Sequence, residues 1–293
     1  MNKLYVGDNL EIMRSLPDES ADLCCTDPPF NSGKSYKSKN GVEFNDRWET
    51  MDKFCDFMRL RLIEMHRLLK PTGSIYIHLD QASLHYVKIE MDHLFGKQNF
   101  LNDIIWCYGK WSTQVKRFQR MHDNILYYSK TNNHTFNPIY HELSESSKQI
   151  RKKGYHIHYK ANILLVYDKT KPKVQELINS GKFNKVNYHN GTNGVPLPDY
   201  WTDIPVPGSN SKERNGYPTQ KPLALYQRII EASSNEGDLI MDPFCGSGTT
   251  LDAAQSLNRN WIGIDKNPNT IDYIKKRFDK YGLLQPDYEV IHE

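Results

Sequence analysis

The sequence predicts an α/β fold with a doubly wound, mostly parallel sheet and a smaller module inserted into it. Apolar strand-like segments alternate with amphipathic helical segments in both flanks of the chain, which is the pattern of strands joined by crossover helices. The alternation stops over residues 131–214, which are rich in Asn, His, Lys and Tyr. A length of 293 residues is enough for one large domain with an insertion. We therefore expect residues 1–130 and 215–293 to form two halves of one domain.

The first half contains apolar runs that end at turn residues, and these runs predict its strands. The strands lie at residues 4–6, 21–26, 74–79, 103–107 and 124–129, and the helices at 8–16, 50–70 and 84–95. Asp8 and Thr50 can cap the first two helices, and Pro17 and Gly96 can end the first and the third. The polar, glycine-containing residues 31–49 predict a mobile loop.

The second half regains a regular pattern after residue 214. Pro222 suits the first turn of a helix. The predicted order is a helix at 222–233, a strand at 238–241, a glycine loop, a helix at 249–257, a strand at 261–265 and a helix at 268–281.

Charge is distributed unevenly along the chain. The formal net charge is +3, but residues 108–160 carry 10 Lys/Arg against 3 Asp/Glu. A basic segment on a slightly acidic body indicates a polyanion partner, although a solvated lysine-rich loop would have the same composition. The chain also has 18 Tyr and 5 Trp, which suit stacking on bases and equally suit half-buried strands.

The five cysteines favour a reduced, cytoplasmic protein. They are Cys24, Cys25, Cys55, Cys107 and Cys245, with no Cys-x-x-Cys pair and no His at zinc-ligand spacing, so we expect no structural metal. Cys24 and Cys25 lie in an apolar strand and are expected to be small core residues. No apolar run approaches 18 residues, and the N-terminus lacks a signal-like segment, so no membrane association is expected.

A glycine loop at residues 242–250 separates a predicted strand from a predicted helix. Gly246 and Gly248 allow a tight turn and a close approach to a ligand, and the helix start offers N–H groups to an anion. Thr249 and Thr250 add hydroxyl donors. No Gly-Lys-Ser/Thr ending and no third spaced glycine are present, which disfavours nucleoside triphosphates and dinucleotides.

An acidic residue, Asp265, ends the next predicted strand. A carboxylate at this place suits hydrogen bonds to ribose hydroxyls, so the ligand is expected to carry an adenosine as well as a small charged group. Asp265 could instead only cap the helix that follows.

The run Asp27-Pro28-Pro29-Phe30 follows the predicted strand 21–26 at its carboxyl end, where α/β proteins bind ligands. The two prolines hold the backbone extended. The Asp27 carboxylate and the Pro28 carbonyl can accept both hydrogens of a planar amine, which favours a nitrogen whose lone pair can attack. The Phe30 ring can stack on a base. A Pro-Pro turn with Asp27 capping a helix is the structural alternative.

These motifs together resemble those of the DNA amino-methyltransferases that use S-adenosylmethionine. The residues that carry the resemblance are Asp27–Phe30, the run 242–250, Tyr217-Pro218-Thr219-Gln220-Lys221-Pro222 and Gly7-Asp8-Asn9. The catalytic motif comes first, then the variable basic region, then the cofactor motif, an order that resembles the permuted β class. The resemblance covers residues 3–130 and 200–280 and implies a Rossmann-like methyltransferase sheet. It also implies that residues 131–214 form a target-recognition module.

The resemblance implies a role for each matching residue. Asp27 and Pro28 would hold the amine, with Pro29 and Phe30 completing the catalytic motif. The residues that would hold S-adenosyl-L-methionine are Asp8, Thr219, Lys221, Asp242, Phe244, Gly246, Gly248, Thr249, Thr250 and Asp265. Within this set, Asp8 would approach the adenine, Asp265 the ribose, and Thr219 and Lys221 the methionine carboxylate. Cys245 would be a small lining residue and not a nucleophile.

The reaction implied is direct in-line methyl transfer to a base rotated out of double-stranded DNA. N4-cytosine enzymes of this family more often carry Ser in place of Asp27, so the sequence favours site-specific N6-adenine methylation. An N4-cytosine enzyme is the alternative, and a catalytically silent DNA-binding subunit of the same fold is a further one. A cognate restriction endonuclease, a homodimer and a prokaryotic or phage source with a nucleoid-associated location are also expectations from the resemblance.

Basic residues in two regions are candidates for phosphate contacts. They are Lys34, Lys37, Lys39, Lys116, Arg117, Arg120, Arg151, Lys152 and Lys153.

Overall fold

A computed structural model describes the chain in two compact units. The first unit comprises Met1–Asn137 and Asp199–Glu293, and the second comprises Pro138–Pro198. The described residues are 2–37, 43–109, 116–141, 155–160, 163–168, 172, 176, 179, 195–208, 211–279 and 286–293.

The described strands and helices follow one another in the order β, α, β over much of the first unit. The strands are β1 (Asn2–Val6), β2 (Ala21–Thr26), β3 (Lys34–Lys37), β4 (Glu43–Asp46), β5 (Leu69–Leu79), β6 (Phe100–Cys107), β7 (His122–Ser129), β8 (Tyr140–His141), β9 (Tyr155–Lys160), β10 (Ile163–Asp168), β11 (Val195–Pro196), β12 (Tyr200–Trp201), β13 (Leu239–Asp242), β14 (Asn260–Asp265) and β15 (Tyr288–His292). The helices are α1 (Asn9–Ser15), α2 (Met51–Leu68), α3 (Leu84–Phe95), α4 (Leu223–Ser233), α5 (Thr249–Ser256) and α6 (Thr270–Phe278), with a 3-10 turn at Lys97–Asn99.

Nine strands of the first unit form one mostly parallel sheet. Their order is β12-β6-β7-β5-β2-β13-β14-β1-β15. Strand β7 runs antiparallel to both of its neighbours, β5 and β6, and the other pairings in this sheet are parallel. The predicted fold class is confirmed. Because β2, β13, β14 and β1 are parallel neighbours, their carboxyl ends meet at one edge.

Helix α2 shows how the predicted amphipathic pattern builds the core. Thr50 caps it by accepting a hydrogen bond from the Lys53 N–H at 3.2 Å. Phe54, Met58 and Leu62 from the predicted apolar face are fully buried, and burial of side chains of this size is worth about 1.5–3 kcal/mol each. The helix is therefore held by tertiary packing as well as by its cap.

The prediction of a loop over residues 31–49 is wrong in part. Strands β3 and β4 pair antiparallel there, with Lys34 opposite Asp46. Two four-residue strands with few apolar residues give no alternating signal, so backbone pairing decides the conformation.

Strand β5 also begins earlier than predicted, at Leu69 and not at residue 74. The pairing of β5 with β2 shifts between Ala21 and Leu23, and such an irregularity accommodates Pro71 and Gly73 inside the strand. Strand β15, which pairs in parallel with β1, was not predicted.

The second unit is shorter than the predicted module of residues 131–214. Residues 131–137 and 199–214 belong to the first unit, because Asn137 donates its N–H to the Ala232 carbonyl at 2.6 Å and β12 pairs with β6. Within the second unit, β9 pairs with β10 and β8 with β11, both antiparallel. Its role in target recognition stays a prediction.

All five cysteines are free, and Cys24 and Cys25 are buried in the core. Among the described residues, no helix combines the length and the apolar character needed to cross a membrane.

Candidate active site

One cavity of about 620 Å³ opens at the carboxyl edge of the sheet. The strand register brings Cys24 of β2 beside Met241 of β13, and Val6 of β1 beside Asp265 of β14. The segments that follow these strands therefore surround one space. All predicted catalytic and cofactor residues line the cavity except Gly248. Its volume lies within the range of small-molecule sites, about 300–1,000 Å³.

The glycine loop between β13 and α5 needs its glycines for two reasons. Gly246 and Gly248 have φ values of +48° and +74°, a region that disfavours residues with a Cβ. A Cβ at Gly248 would lie 2.5 Å from Cγ1 of Ile274, and a Cβ at Gly246 would lie 3.2 Å from the Tyr217 hydroxyl. Gly248 thus permits close packing of α6 on the loop, and Gly246 leaves the cavity wall open.

The loop is fixed from behind by a buried arginine that sequence reasoning missed. Arg277 donates from Nε to the Ser247 carbonyl at 2.9 Å and from Nη2 to Thr249 Oγ1 at 3.0 Å. It also pairs with Asp252 at 3.3 Å. The only sequence signal was a cation on the apolar side of the last predicted helix.

Asp265 ties the glycine loop to the end of β14. Its Oδ2 accepts the Gly246 N–H and its Oδ1 the Asn267 N–H, both at 2.8 Å. Burial raises the pKa of this carboxyl, and the two backbone hydrogen bonds oppose that rise. Asp265 does not provide the N-cap of α6, which is Asn269.

Asp242 is a buried acid that joins the ends of β2 and β13. Its Oδ1 accepts from Thr26 Oγ1 at 2.6 Å and from the Phe244 N–H at 3.0 Å. Burial raises its pKa to about 6, although hydrogen bonds from Thr250, Thr26 and Phe244 oppose the rise. It lines the cavity and also fixes the two strand ends together.

Asp8 lies at the start of α1 and lines the same cavity. It caps the helix by accepting the Leu10 N–H at 2.9 Å, and it pairs with Arg61 of α2 at 3.0 Å. Arg61 also donates to Asn9 Oδ1 at 2.7 Å, and Asn9 donates to the Pro243 carbonyl at 2.7 Å. These bonds connect α1, α2 and the residue after Asp242.

Asp27 is held on one side by a lysine. The Lys221 ammonium donates to Asp27 Oδ2 at 2.5 Å and lies 5.0 Å from the centre of the Phe30 ring. The predicted place of Lys221 beside a bound carboxylate stays a prediction, whereas its ion pair with Asp27 is a finding. This pair places a positive charge next to the candidate catalytic carboxylate.

The cavity has further wall residues that sequence reasoning missed, because they fall in or beside the predicted loop. Asp46 is buried and accepts the N–H groups of Asn31 and Ser32 at 2.8 and 3.0 Å. Trp48 packs against Phe57 with ring centres 5.1 Å apart. Asp46 therefore fixes the two residues that follow the catalytic motif.

Four of the nine candidate DNA contacts, Lys39, Arg151, Lys152 and Lys153, lie outside the described residues. Lys37 lies in β3, but its side chain is also outside the described part. The four that can be placed, Lys34, Lys116, Arg117 and Arg120, are exposed. The last three lie in the β6–β7 connection, which leaves the sheet at the edge that holds the cavity, since Cys107 pairs with His122.

Solved structures with the same fold are methyltransferases. A DNA modification methylase from Thermus thermophilus, solved with S-adenosyl-L-methionine, is 22% identical with a TM-score of 0.58, covering 100% of this chain and 98% of its own. The PvuII DNA methyltransferase, cytosine-N4-specific, is 18% identical with a TM-score of 0.61. The match covers 95% of this chain and 86% of the PvuII chain. The fold is thus that of the DNA methyltransferases.

The sequence comparisons identify the family. The model of the DNA methylase family N6_N4_Mtase matches residues 21–276. Type II methyltransferase M.EcaI of Enterobacter cloacae is 30% identical, covering 94% of this chain and 69% of its own length. DNA adenine methyltransferase YhdJ of Escherichia coli K12 is 32% identical, covering 93% and 81%. This chain belongs to the N6/N4 DNA methylase family and is a DNA methyltransferase. The predicted resemblance to DNA amino-methyltransferases is confirmed.

Proposed function

We propose that this chain is a site-specific DNA methyltransferase that methylates the exocyclic N6 amine of adenine in double-stranded DNA, with S-adenosyl-L-methionine as methyl donor. The observation that carries the proposal is that Asp27-Pro28-Pro29-Phe30 and the glycine loop line one cavity. One motif suits a planar amine and the other suits a charged adenosine derivative.

The residues present fit the proposed cofactor. S-adenosyl-L-methionine, when bound, supplies the methyl group as part of a sulfonium. Gly246 keeps the wall open, and the start of α5 has no capping side chain, so its N–H groups can bind the charged end. Thr249 and Thr250 line the same wall, where their hydroxyls already bind Arg277 and Asp242. Asp265 remains the candidate for the ribose and Asp8 for the adenine, while Phe244 supplies apolar wall.

The protein's part in the reaction is to position the amine. A base rotated into the cavity would place its amine against Asp27 and the Pro28 carbonyl, with Phe30 against its ring and Pro29 keeping the backbone extended. Both acceptors would take N–H hydrogens, which would leave the nitrogen lone pair free to attack. The amine would gain the methyl group that the cofactor supplies and lose one of its two hydrogens as a proton, which would leave through the hydrogen bond to Asp27. Rate enhancement comes from orientation and from hydrogen bonds that strengthen in the transition state.

Two observations support adenine as the target. Asp27 stands where N4-cytosine relatives more often carry Ser, and a relative at 32% identity is named a DNA adenine methyltransferase. N4-cytosine is the alternative product. Several relatives are named Type II methyltransferases, which supports a cognate restriction endonuclease as partner. A cytoplasmic, nucleoid-associated location and a homodimer are further proposals, the first supported by bacterial relatives.

Asp27→Asn tests the proposal directly. The amide cannot accept as a carboxylate does, so we expect methyl transfer to fall at least about 100-fold, the cost of a misplaced reacting group. Cofactor affinity by calorimetry should be unchanged. The exposed Asp56→Asn serves as the control and should retain full activity.

The product itself is read by mass spectrometry of nucleosides from DNA incubated with the wild-type chain. N6-methyladenine supports the proposal, whereas N4-methylcytosine would establish the alternative. Full activity in Asp27→Asn would refute the role of Asp27.

A further inference from the structure

A buried histidine lies beside the candidate catalytic carboxylate, outside the set of residues that line the cavity. His78 of β5 has only 2% of its surface exposed. Its Nε2 lies 3.1 Å from Asp123 Oδ2 and its Nδ1 lies 4.0 Å from Asp27 Oδ1. Phe30 and Trp106 pack against the imidazole with ring centres 5.9 and 5.5 Å away. The ring therefore lies between two carboxylates and has little freedom to turn.

The two atoms that face each other across this gap of 4.0 Å are both buried without a hydrogen-bond partner. They are Asp27 Oδ1 and His78 Nδ1. Buried polar atoms in native proteins are nearly always paired. A water at about 2.7–3.0 Å from each atom would be held at an angle well below the tetrahedral value across this gap. One proton on Nδ1 would provide a partner for both atoms.

The protonation of Nε2 follows from its neighbour. Asp123 is also hydrogen-bonded by the Tyr108 hydroxyl at 3.0 Å. Burial would raise the pKa of Asp123, but hydrogen bonds from His78 and Tyr108 and the charge of Lys221 oppose that rise. Because the Tyr108 hydroxyl donates to Oδ1, Oδ2 remains as an acceptor, and its 3.1 Å contact favours a proton on Nε2. In a neutral imidazole, Nδ1 would then present a lone pair to the lone pairs of Asp27.

Other titratable groups around the ring leave this charge pattern intact. They are Asp27 after β2, Cys25 in β2, Tyr76 in β5 and Asp80 after it, Tyr108 after β6, Asp123 in β7, Lys221 before α4 and Tyr226 in α4. Burial raises the pKa of Cys25, Tyr76 and Tyr226, so these three stay neutral. A protonated His78 and Lys221 would balance the charges of Asp27 and Asp123, while the remaining acid, Asp80, interacts with Arg120.

We infer that His78 is a doubly protonated bridge, donating from Nε2 to Asp123 and from Nδ1 to Asp27, and that it is the positioning residue that aims Asp27 at the target amine. The bridge closes the gap of 4.0 Å to hydrogen-bond length when Asp27 is engaged, as active-site hydrogen bonds commonly tighten on substrate binding. With Oδ1 held by His78 and Oδ2 held by Lys221, the carboxylate has little freedom to turn within the cavity wall that it lines. The positioning role of His78 rests on the proposed function, whereas its double protonation does not.

The protonation is tested by nitrogen-15 NMR of the full-length chain labelled at histidine. The His78 signals are assigned by their loss in His78→Gln, or by their movement in Asp123→Asn if the first variant does not fold. We expect both ring nitrogens of wild-type His78 to carry protons at neutral pH. We expect Asp123→Asn to shift the loss of the Nδ1 proton to lower pH, because the ring then loses one of its two negatively charged neighbours. An unprotonated Nδ1 in the wild type would overturn the bridge.

The positioning role is tested by single-turnover methylation over a range of pH. His78→Gln should lower the rate about 100-fold, as for a misplaced reacting group, with unchanged affinity for DNA and cofactor. In the wild type the rate should fall on the alkaline side as Nδ1 loses its proton, and Asp123→Asn should move that fall to lower pH. A purely structural role would alter stability without moving the profile.

The control is His66→Gln, a half-buried histidine of α2 that packs on Phe95 and should leave both readouts unchanged. Full activity in His78→Gln, or an alkaline limb unmoved in Asp123→Asn, would overturn the positioning role. If the wild-type chain methylates no DNA, the proposed function fails, and the NMR result still decides the bridge.

Discussion

Asp242 illustrates how one side chain can be both a cavity wall and a structural brace. Its carboxyl is 3% exposed and holds the ends of β2 and β13 through Thr26 and Phe244. The sequence motif marked it as a ligand-binding residue, but nothing in the motif indicated that its charge would be buried. That burial has a measurable consequence for stability.

Replacing Asp242 by Asn should remove a pH-dependent loss of stability. The pKa of this carboxyl rises from 3.8 to about 6 on folding, so the protonated form favours the folded state. As pH rises from about 4 to 6, the free energy of unfolding of the wild type should therefore fall by about 3 kcal/mol relative to that of Asp242→Asn. Each unit of difference in pKa between the folded and unfolded states is worth about 1.4 kcal/mol. The Asn Oδ1 can still accept from Thr26 and Phe244.

The measurement is urea unfolding of both chains from about pH 4 to 8, which spans the ionisation of the folded and unfolded carboxyl. Asp56→Asn, an exposed acid, should follow the wild type throughout. Parallel curves for the wild type and Asp242→Asn would contradict the prediction.

At the scale of elements, the junction of the glycine loop with α5 depends on helix α6. Gly248 is the N-cap of α5, and Ile274 of α6 fills the space that its missing Cβ would need. Arg277 on the same helix binds the loop carbonyl of Ser247. The conformation of the glycine loop therefore depends on α6, which is separated from the loop in sequence by α5 and β14. The sequence motif of the loop does not reveal this dependence.

Gly248→Ala should be more destabilising than Gly237→Ala. Both glycines have positive φ, at +74° and +84°, but nothing lies within 4 Å of a Cβ at Gly237. The left-handed backbone should cost each variant about 1–2 kcal/mol, and the clash with Ile274 should add about 1–3 kcal/mol to Gly248→Ala. Denaturant unfolding measures the difference.

A double-mutant cycle separates the clash from the backbone strain. In an Ile274→Ala background the extra cost of Gly248→Ala should shrink, because the contacting methylene is gone. If the effects of Gly248→Ala and Ile274→Ala on the free energy of unfolding were additive, Ile274 would not be the source of the extra cost.

At the scale of the whole molecule, the first unit places a basic connection and the cavity at one edge of the sheet. Lys116, Arg117 and Arg120 follow β6 where it ends, whereas Lys97 precedes the start of β6 at the opposite edge. If DNA lies across the cavity edge, the first group meets phosphates and Lys97 does not.

DNA affinity should therefore fall steeply with salt, and the slope should depend on which lysine is removed. Lys116→Gln should reduce the slope of log K against log salt by about one. Lys97→Gln is matched in charge and exposure and should leave the slope unchanged. Titration of labelled duplex at several salt concentrations gives both slopes, and equal slopes for the two variants would contradict the placement of DNA at this edge.

Much of the fold was predictable from local pattern. The predicted helix over residues 84–95 and the strand over 21–26 match α3 and β2. A helix with one buried face leaves a period of about 3.6 in its sequence, and a parallel strand buried on both faces, such as β2, leaves a short continuous apolar run. The hairpin of β3 and β4 and the strand β15 were not predictable. Strands β3 and β4 have few apolar residues, and β15 is a short, half-buried edge strand whose pairing with β1 at the other end of the chain leaves no local pattern.

The sequence by itself determined the class of protein and the residues of its two motifs, because the chemistry of each motif is carried by consecutive residues such as Asp27 and Pro28. Only the tertiary structure decided what surrounds them. Lys221, 194 positions from Asp27, and His78, from another strand, meet that carboxylate through the order of the strands in the sheet. Contacts between residues far apart in sequence leave no local pattern, since they depend on packing of the whole chain.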